Sequence, residues 1–275
     1  MTGFGFEPRK ANGVLYYTLP YFELMGTRVA FTTRIGGKSH GVYQELNTGR
    51  NTKDPPEVVD YNRQRVAHAL GLDGLQWVAG RQVHGDRVAV VTRSDAVGGT
   101  ARQPATVGAA DGLTTREKGI CLVGYFADCV PIFILDPEPG REVVGLAHGG
   151  WRGTVLHVAR KTVAAMQRAF GTSPSGCLAA IGPSIGPCCY EVDERVVREV
   201  EGSFPNPGRL LRRCGPGKWK FNLWEANRQS LLEAGLAPEK VISAGLCTMC
   251  RTDLFYSHRA ERGKTGRMMA VLTLL

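Results

Sequence analysis

Two apolar runs constrain this chain more than any other feature: CLVGYFADCVPIFIL, residues 121–135, and EVVGLAH, residues 142–148. Both are rich in β-branched and aromatic residues and read as buried strands. A polar Asp128-Cys129 pair interrupts the first run, and the second ends at His148, before Gly149, Gly150 and Trp151. A fold built around such strands sets a cysteine and a histidine at element ends, where the backbone turns and side chains project into a cleft.

A chain of 275 residues, 43% of them hydrophobic, buries a substantial core and suits one large domain or two small ones. No break in composition divides it, so a single domain is expected over residues 1–275. There is no internal repeat and no apolar run of the ~20 residues that a spanning helix needs. The opening MTGFGFEPRKANG has neither a signal-peptide core nor an Arg/Ser-rich arm, which points to the cytoplasm, away from membranes. Eight cysteines in such a chain read as reduced thiols. The net charge of +9 comes from 34 basic and 25 acidic residues with no run of five basic ones. Helix-turn-helix, zinc-finger and RNP patterns are absent, so nucleic-acid binding around a structural metal is the weaker, non-enzymatic alternative.

The remaining elements mix α with β. VAFTTR and RVAVVTR read as strands. Asp54 as N-cap, Pro55 and Pro56 in the first turn, apolar residues at 59, 66 and 70 and a stop at Gly71 predict a helix, with Asn62 on its apolar stripe. Val155, Val158, Thr162, Met166 and Ala169 predict one longer helix ending at Gly171, and NLWEANRQSLLEAG predicts a third. Residues 94–112 and 202–220, dense in Gly, Pro and Ala, read as exposed loops. Strand order is not readable from periodicity.

Of the six histidines, His68 and His157 lie in predicted helices and read as ordinary helix residues. His84, in GRQVHGDRVAVV, precedes a strand and is followed by Gly85. With Cys129 and His148 it makes three donors at three element ends, the number that a catalytic zinc takes while leaving a fourth position to water. The same residues allow a Cys/His hydrolase, with Cys129 as nucleophile, His148 or His84 as base and Asp128 as orienter. Residue types alone leave both open. Cys247 and Cys250 form a Cys-x-x-Cys, Cys188 and Cys189 a vicinal pair, and all four read as plain buried thiols. Arg34, Arg63 and Arg152 are candidates for holding an anion, Arg152 at the helix start after His148.

In order, TTRIGG, ELNTG, NRQRVAHALGL, QVHGDRV, ADCVPIFILDP, AHGGWRG, IGPSIGPCCYEVD, KWKFNLWEANRQSLLEAG, LCT and TGR resemble the motifs of the YfiH-like family, over about residues 27–269. Its members carry the labels laccase-domain protein or multicopper polyphenol oxidase, and some are regarded as purine nucleoside phosphorylases. The chain departs from the family at Gly149, where Ala is usual, and at His258, where Tyr is frequent; Cys250 is not a family requirement.

The resemblance implies a single mixed α/β domain of layered β-sheets flanked by helices. It implies one zinc per chain, held by His84, Cys129 and His148, and phosphorolysis of adenosine, inosine, guanosine and methylthioadenosine with inorganic phosphate as co-substrate. Adenosine deamination is expected at the same site, with a zinc-activated water acting at C6 and Asp128 as proton shuttle or as partner to one of the histidines. Arg34, Arg63 and Arg152 would take the phosphate. No copper is expected, because laccases proper add His-x-His pairs and this chain has none. A cell-wall amidase built on Cys129 is the remaining enzymatic alternative, fitting a proposed role of some relatives.

Overall fold

The longer apolar run makes two strands rather than one, and the break between them organises the molecule. The computed structural model describes residues 5–275, so the first four residues of the opening stretch lie outside the described residues. In chain order the strands are β1 (Glu7–Ala11), β2 (Val14–Thr18), β3 (Thr27–Thr32), β4 (Gln76–Arg81), β5 (Val88–Val90), β6 (Ala105–Ala109), β7 (Gly112–Thr115), β8 (Ile120–Phe126), β9 (Val130–Asp136), β10 (Val143–Gly149), β11 (Leu178–Ile181), β12 (Glu191–Val192), β13 (Leu211–Gly215), β14 (Lys218–Phe221), β15 (Val241–Ser243) and β16 (Met268–Leu274). The helices are α1 (Pro20–Glu23), α2 (Pro56–Leu70), α3 (Trp151–Val155), α4 (Val158–Phe170), α5 (Glu194–Ser203) and α6 (Leu223–Glu233). No described helix is long and apolar enough to cross a membrane.

Sheet one has the order β1-β2-β3-β16-β8-β4-β6 and sheet two the order β15-β11-β9-β10-β7-β5; β12, β14 and β13 form a small third sheet. The pleat explains why the core strands are apolar throughout. In β8, Ile120, Leu122 and Phe126 face sheet two, while Cys121 and Val123 face α2; in β9, Phe133 and Leu135 face sheet one, while Ile132 and Ile134 face α4 and α6. The result is a mixed α/β domain of four layers: α2, sheet one, sheet two, then α4 and α6.

Several expectations are corrected. Asp54 does not cap α2: Pro55 occupies that position in extended geometry, because a residue before proline avoids the helical region. The buried Asp54 carboxylate instead accepts hydrogen bonds from Ser39 Oγ and Asn47 Nδ2. Asn62, on the apolar stripe, is also buried; it donates to Ser39 Oγ and to the Asn47 carbonyl, so its place in the core is satisfied.

The longer helix is two. His157 is left-handed (φ 59°) and separates α3 from α4, and Ala169 is exposed, the inward face being Val158, Thr162, Ala165 and Met166. His157 is therefore not a helix residue: Nδ1 meets Ser230 Oγ and Nε2 meets the Ser203 carbonyl. Residues 202–220 are not a loop. They contain the β13–β14 hairpin, turned by Gly217 at φ 64°, whose alternation of polar and apolar residues is masked by Gly and Pro. Residues 94–112 contain β6, an edge strand of sheet one.

Candidate metal centre

Strand register brings the three predicted donors together. β4 runs parallel to β8 with Ala79 opposite Val123, so both strands finish at one end of sheet one. β10 runs antiparallel to β9 with His148 opposite Pro131, so the end of β10 meets the start of β9. His84 lies in the β4–β5 link, Cys129 in the β8–β9 turn and His148 at the end of β10; their ligand atoms all lie within 4.8 Å of one another. His84 is exposed, Cys129 half-buried and His148 buried, which leaves the group open to solvent on one side.

The backbone is bent to achieve this. His84 (φ 59°) and Asp128 (φ 84°) both have positive φ, which is uncommon for side-chain-bearing residues and persists only where neighbours hold it. At Asp128 both carboxylate oxygens are engaged: Thr248 Oγ1 donates to Oδ1 at 2.7 Å and the Arg259 N–H to Oδ2 at 2.7 Å. At His84 the clamp is Asp111. Its carboxylate accepts the main-chain N–H groups of Val83, His84 and Gly85 at 3.1, 3.0 and 2.8 Å. The same carboxylate holds His148 Nδ1 at 2.8 Å.

The carboxylate partner of a histidine is thus Asp111, not Asp128. Because Nδ1 of His148 is taken by Asp111, its Nε2 is the nitrogen left for a ligand. Gly150 completes the cradle, since a Cβ there would stand 2.7 Å from His84 Nδ1 and 3.2 Å from Cys129 Sγ.

The electrostatics favour an ionised thiol. Burial raises the Cys129 pKa, but the charges and hydrogen bonds of His148 and His84 outweigh it and bring the thiol down to about 6. Burial likewise opposes charge on His148, yet the Cys129 thiolate and Asp111 raise it to about 9. A proton shared among these groups occupies a place that a cation can take. Two imidazoles and a thiolate suit a borderline or soft metal ion, so the residues fit a metal.

The family model described as multi-copper polyphenol oxidoreductase laccase matches residues 28–275. The chain belongs to this family. It is 41% identical over 265 residues to purine nucleoside phosphorylase YlmD of Geobacillus stearothermophilus, covering 96% of this chain and 95% of that one. It is 39% identical to the Bacillus subtilis protein of the same name, over 88% of this chain and 86% of that one. The crystal structure of the hypothetical protein YfiH of Bacillus licheniformis has the same layered fold, with a TM-score of 0.90, 36% identity and coverage of 98% and 99%. The family resemblance and the mixed α/β fold read from the motifs are therefore both found.

In this chain the three predicted arginines stand in different surroundings. Arg34 donates to the carbonyls of Gln44 and Thr252, pairs with Glu261 and lies over the Tyr256 ring. Buried Arg63 donates to the carbonyls of Thr48 and Arg102 and lies over Tyr125. Arg152 is exposed beside Trp151 at the start of α3.

Sequence reasoning missed a further set. Half-buried Arg267 loses basicity to burial, while the charges of Cys129 and Asp128 act to restore it. Burial also lowers the basicity of His258, which feels the charges of Arg267, Asp128, Arg259 and His84. Arg259 lies over Tyr190. The TGR motif contained Arg267, but nothing in spacing singled out Asp111, whose partners are 26 to 37 residues away.

Proposed function

We propose that the chain is a zinc-dependent purine nucleoside phosphorylase, active on adenosine, inosine, guanosine and methylthioadenosine, which also deaminates adenosine at the same site. The observation that carries this reading is the convergence of His84, Cys129 and His148 on one point, oriented by Asp111. Relatives named purine nucleoside phosphorylase match almost the whole chain and support the choice of substrate. Zinc, when bound, would supply Lewis acidity and acidify a water at its open position.

The protein's own residues do the rest. Asp111 holds His148 in one tautomer and ties down the loop of His84. Asp128, with both oxygens occupied, fixes the Cys129 turn and acts as a positioning residue more than as a shuttle. Phosphorolysis places phosphate against ribose C1′, and arginines must hold that anion. Of Arg34, Arg63 and Arg152, the exposed Arg152 is the one whose guanidinium donors are not committed to carbonyls among the described residues. Arg267 and Arg259 stand near the Asp128 turn but, like Arg34 and Arg63, spend guanidinium donors on carbonyls, Arg267 on Thr265 and Gly266 and Arg259 on Glu191, so Arg152 remains the first candidate. None of the eight cysteines is paired in a disulfide, which suits work in a reducing cytoplasm.

The test is an adenosine assay with and without phosphate, separating adenine, inosine and hypoxanthine, on wild type and His148→Ala. Phosphate-dependent adenine release that the substitution abolishes, together with the loss of one zinc per chain, supports the assignment. Undiminished turnover in His148→Ala overturns it.

A further inference from the structure

A second group of donors lies outside this site. Cys188, Cys189, Cys247 and Cys250 are far apart in sequence in two pairs, yet their four sulfurs all lie within 4.8 Å of one another. Two loops make the convergence. An isolated parallel bridge pairs Ser184 with Cys247: the Ser184 N–H donates to the Leu246 carbonyl and the Thr248 N–H to the Ser184 carbonyl. Gly186 is pinned between the Trp224 ring and Cys188, where an added Cβ would stand 2.8 Å from the ring and 3.2 Å from Sγ. The chain then turns over Pro187 into the two cysteines.

We infer that Cys188, Cys189, Cys247 and Cys250 form a second metal site, four-coordinate and all-sulfur, for a thiophilic ion of the zinc class. Cys250 Sγ lies 3.6 Å from Cys188 Sγ and 3.4 Å from Cys189 Sγ. A zinc–sulfur length of about 2.3 Å sets the edges of a tetrahedron at about 3.8 Å, so these two edges need lengthen only slightly to admit the ion.

The main chain is arranged for sulfur that carries charge. The Gly186 N–H donates to Cys247 Sγ at 3.2 Å. An N–H aimed at a sulfur stabilises a thiolate, the form a metal binds. Lys220 adds a cation beside the group, its Nζ on the Cys189 carbonyl at 3.2 Å.

The place of this site in the fold gives it a role. Thr248, inside the Cys-x-x-Cys turn, donates to Asp128, and the Ile185 N–H, on the other loop, donates to the Asp128 carbonyl. An ion binding all four cysteines would lock together the two loops that grip the turn carrying Cys129. The assignment is independent of the reaction catalysed, because the ion is structural.

The experiment counts zinc by mass spectrometry on full-length protein purified without oxygen and equilibrated with zinc in a chelator buffer. Two ions per chain are expected in wild type, one in Cys250→Ser and one in His148→Ala. Cobalt in place of zinc should retain intense sulfur-to-metal charge-transfer absorption in His148→Ala and lose it in Cys250→Ser, His148→Ala. On wild type itself, zinc should protect the four thiols from alkylation in peptide maps. A His148→Ala protein that holds no ion, with the four thiols alkylated at the same rate with and without zinc, overturns the site. So does a disulfide joining Cys250 to Cys188 or Cys189 in the zinc-equilibrated protein.

Discussion

Asp111 shows how much a single side chain organises without announcing itself. One carboxylate orders three successive main-chain N–H groups around His84 and fixes the tautomer of His148, so both imidazoles depend on it. Replacing it with Asn puts an NH2 where donors already point, so one oxygen's worth of hydrogen bonds becomes donor against donor. Asp111→Asn should therefore weaken metal binding about 10–100-fold with the fold intact, read by competition against a chelator and by circular dichroism. Unchanged affinity would reduce Asp111 to a loop tie. The contrast with the metal donors explains what was legible. His84, Cys129 and His148 stand at the ends of recognisable strands, and a histidine or cysteine there asks for a reason. Asp111 stands in a Gly- and Ala-rich stretch that reads as punctuation, and its meaning lies in partners that only the folded chain supplies.

At the scale of elements, apolar periodicity found the helices but not their joints. The stripe Val155, Val158, Thr162, Met166 is continuous across His157, because α3 and α4 bury neighbouring faces on the same sheet. Only the left-handed residue reveals the break. Ser203 offers a carbonyl, which only accepts, so the Nε2 of His157 carries the proton and Nδ1 is left facing the Ser230 hydroxyl. Burial, then the charge of Arg160, lowers the His157 pKa from its ordinary 6.5. The unfolded chain therefore binds this proton more readily than the folded one. Well above pH 6.5 the group is neutral in both states and contributes nothing; as pH falls through that value the unfolded state gains the proton first and stability drops. His157→Asn, which tolerates the left-handed backbone, should make the loss of stability below pH 6.5 shallower, even though it lowers stability at neutral pH. Urea unfolding midpoints of the two proteins across this range check it; parallel curves would show that another group is responsible.

Over the whole molecule, the three donors mark where the chain passes between layers. His84 lies on the link from β4 in sheet one to β5 in sheet two, and Cys129 on the turn from β8 in sheet one to β9 in sheet two. His148 ends β10 in sheet two. The mixed α/β class was legible because continuous apolar strands and amphipathic helices have different periods. The layer crossings were not, because a two-sheet packing leaves no mark on periodicity beyond the Asp128-Cys129 interruption. An ion shared by these residues would tie the two sheets at one end and, bound in preference by the folded chain, would add stability by mass action. At 100 to 1,000 times the dissociation constant that amounts to about 2.7–4.1 kcal/mol. With roughly 2–4 °C of melting temperature per kcal/mol at this size, removing the ion should lower Tm by roughly 5–15 °C. The measurement belongs in a Cys250→Ser background, where the four-cysteine site does not contribute. Calorimetry with zinc and with chelator should show the shift there and lose it when His148→Ala is added. A melting temperature indifferent to chelator in the Cys250→Ser protein would mean that His84, Cys129 and His148 do not bind an ion across the two sheets.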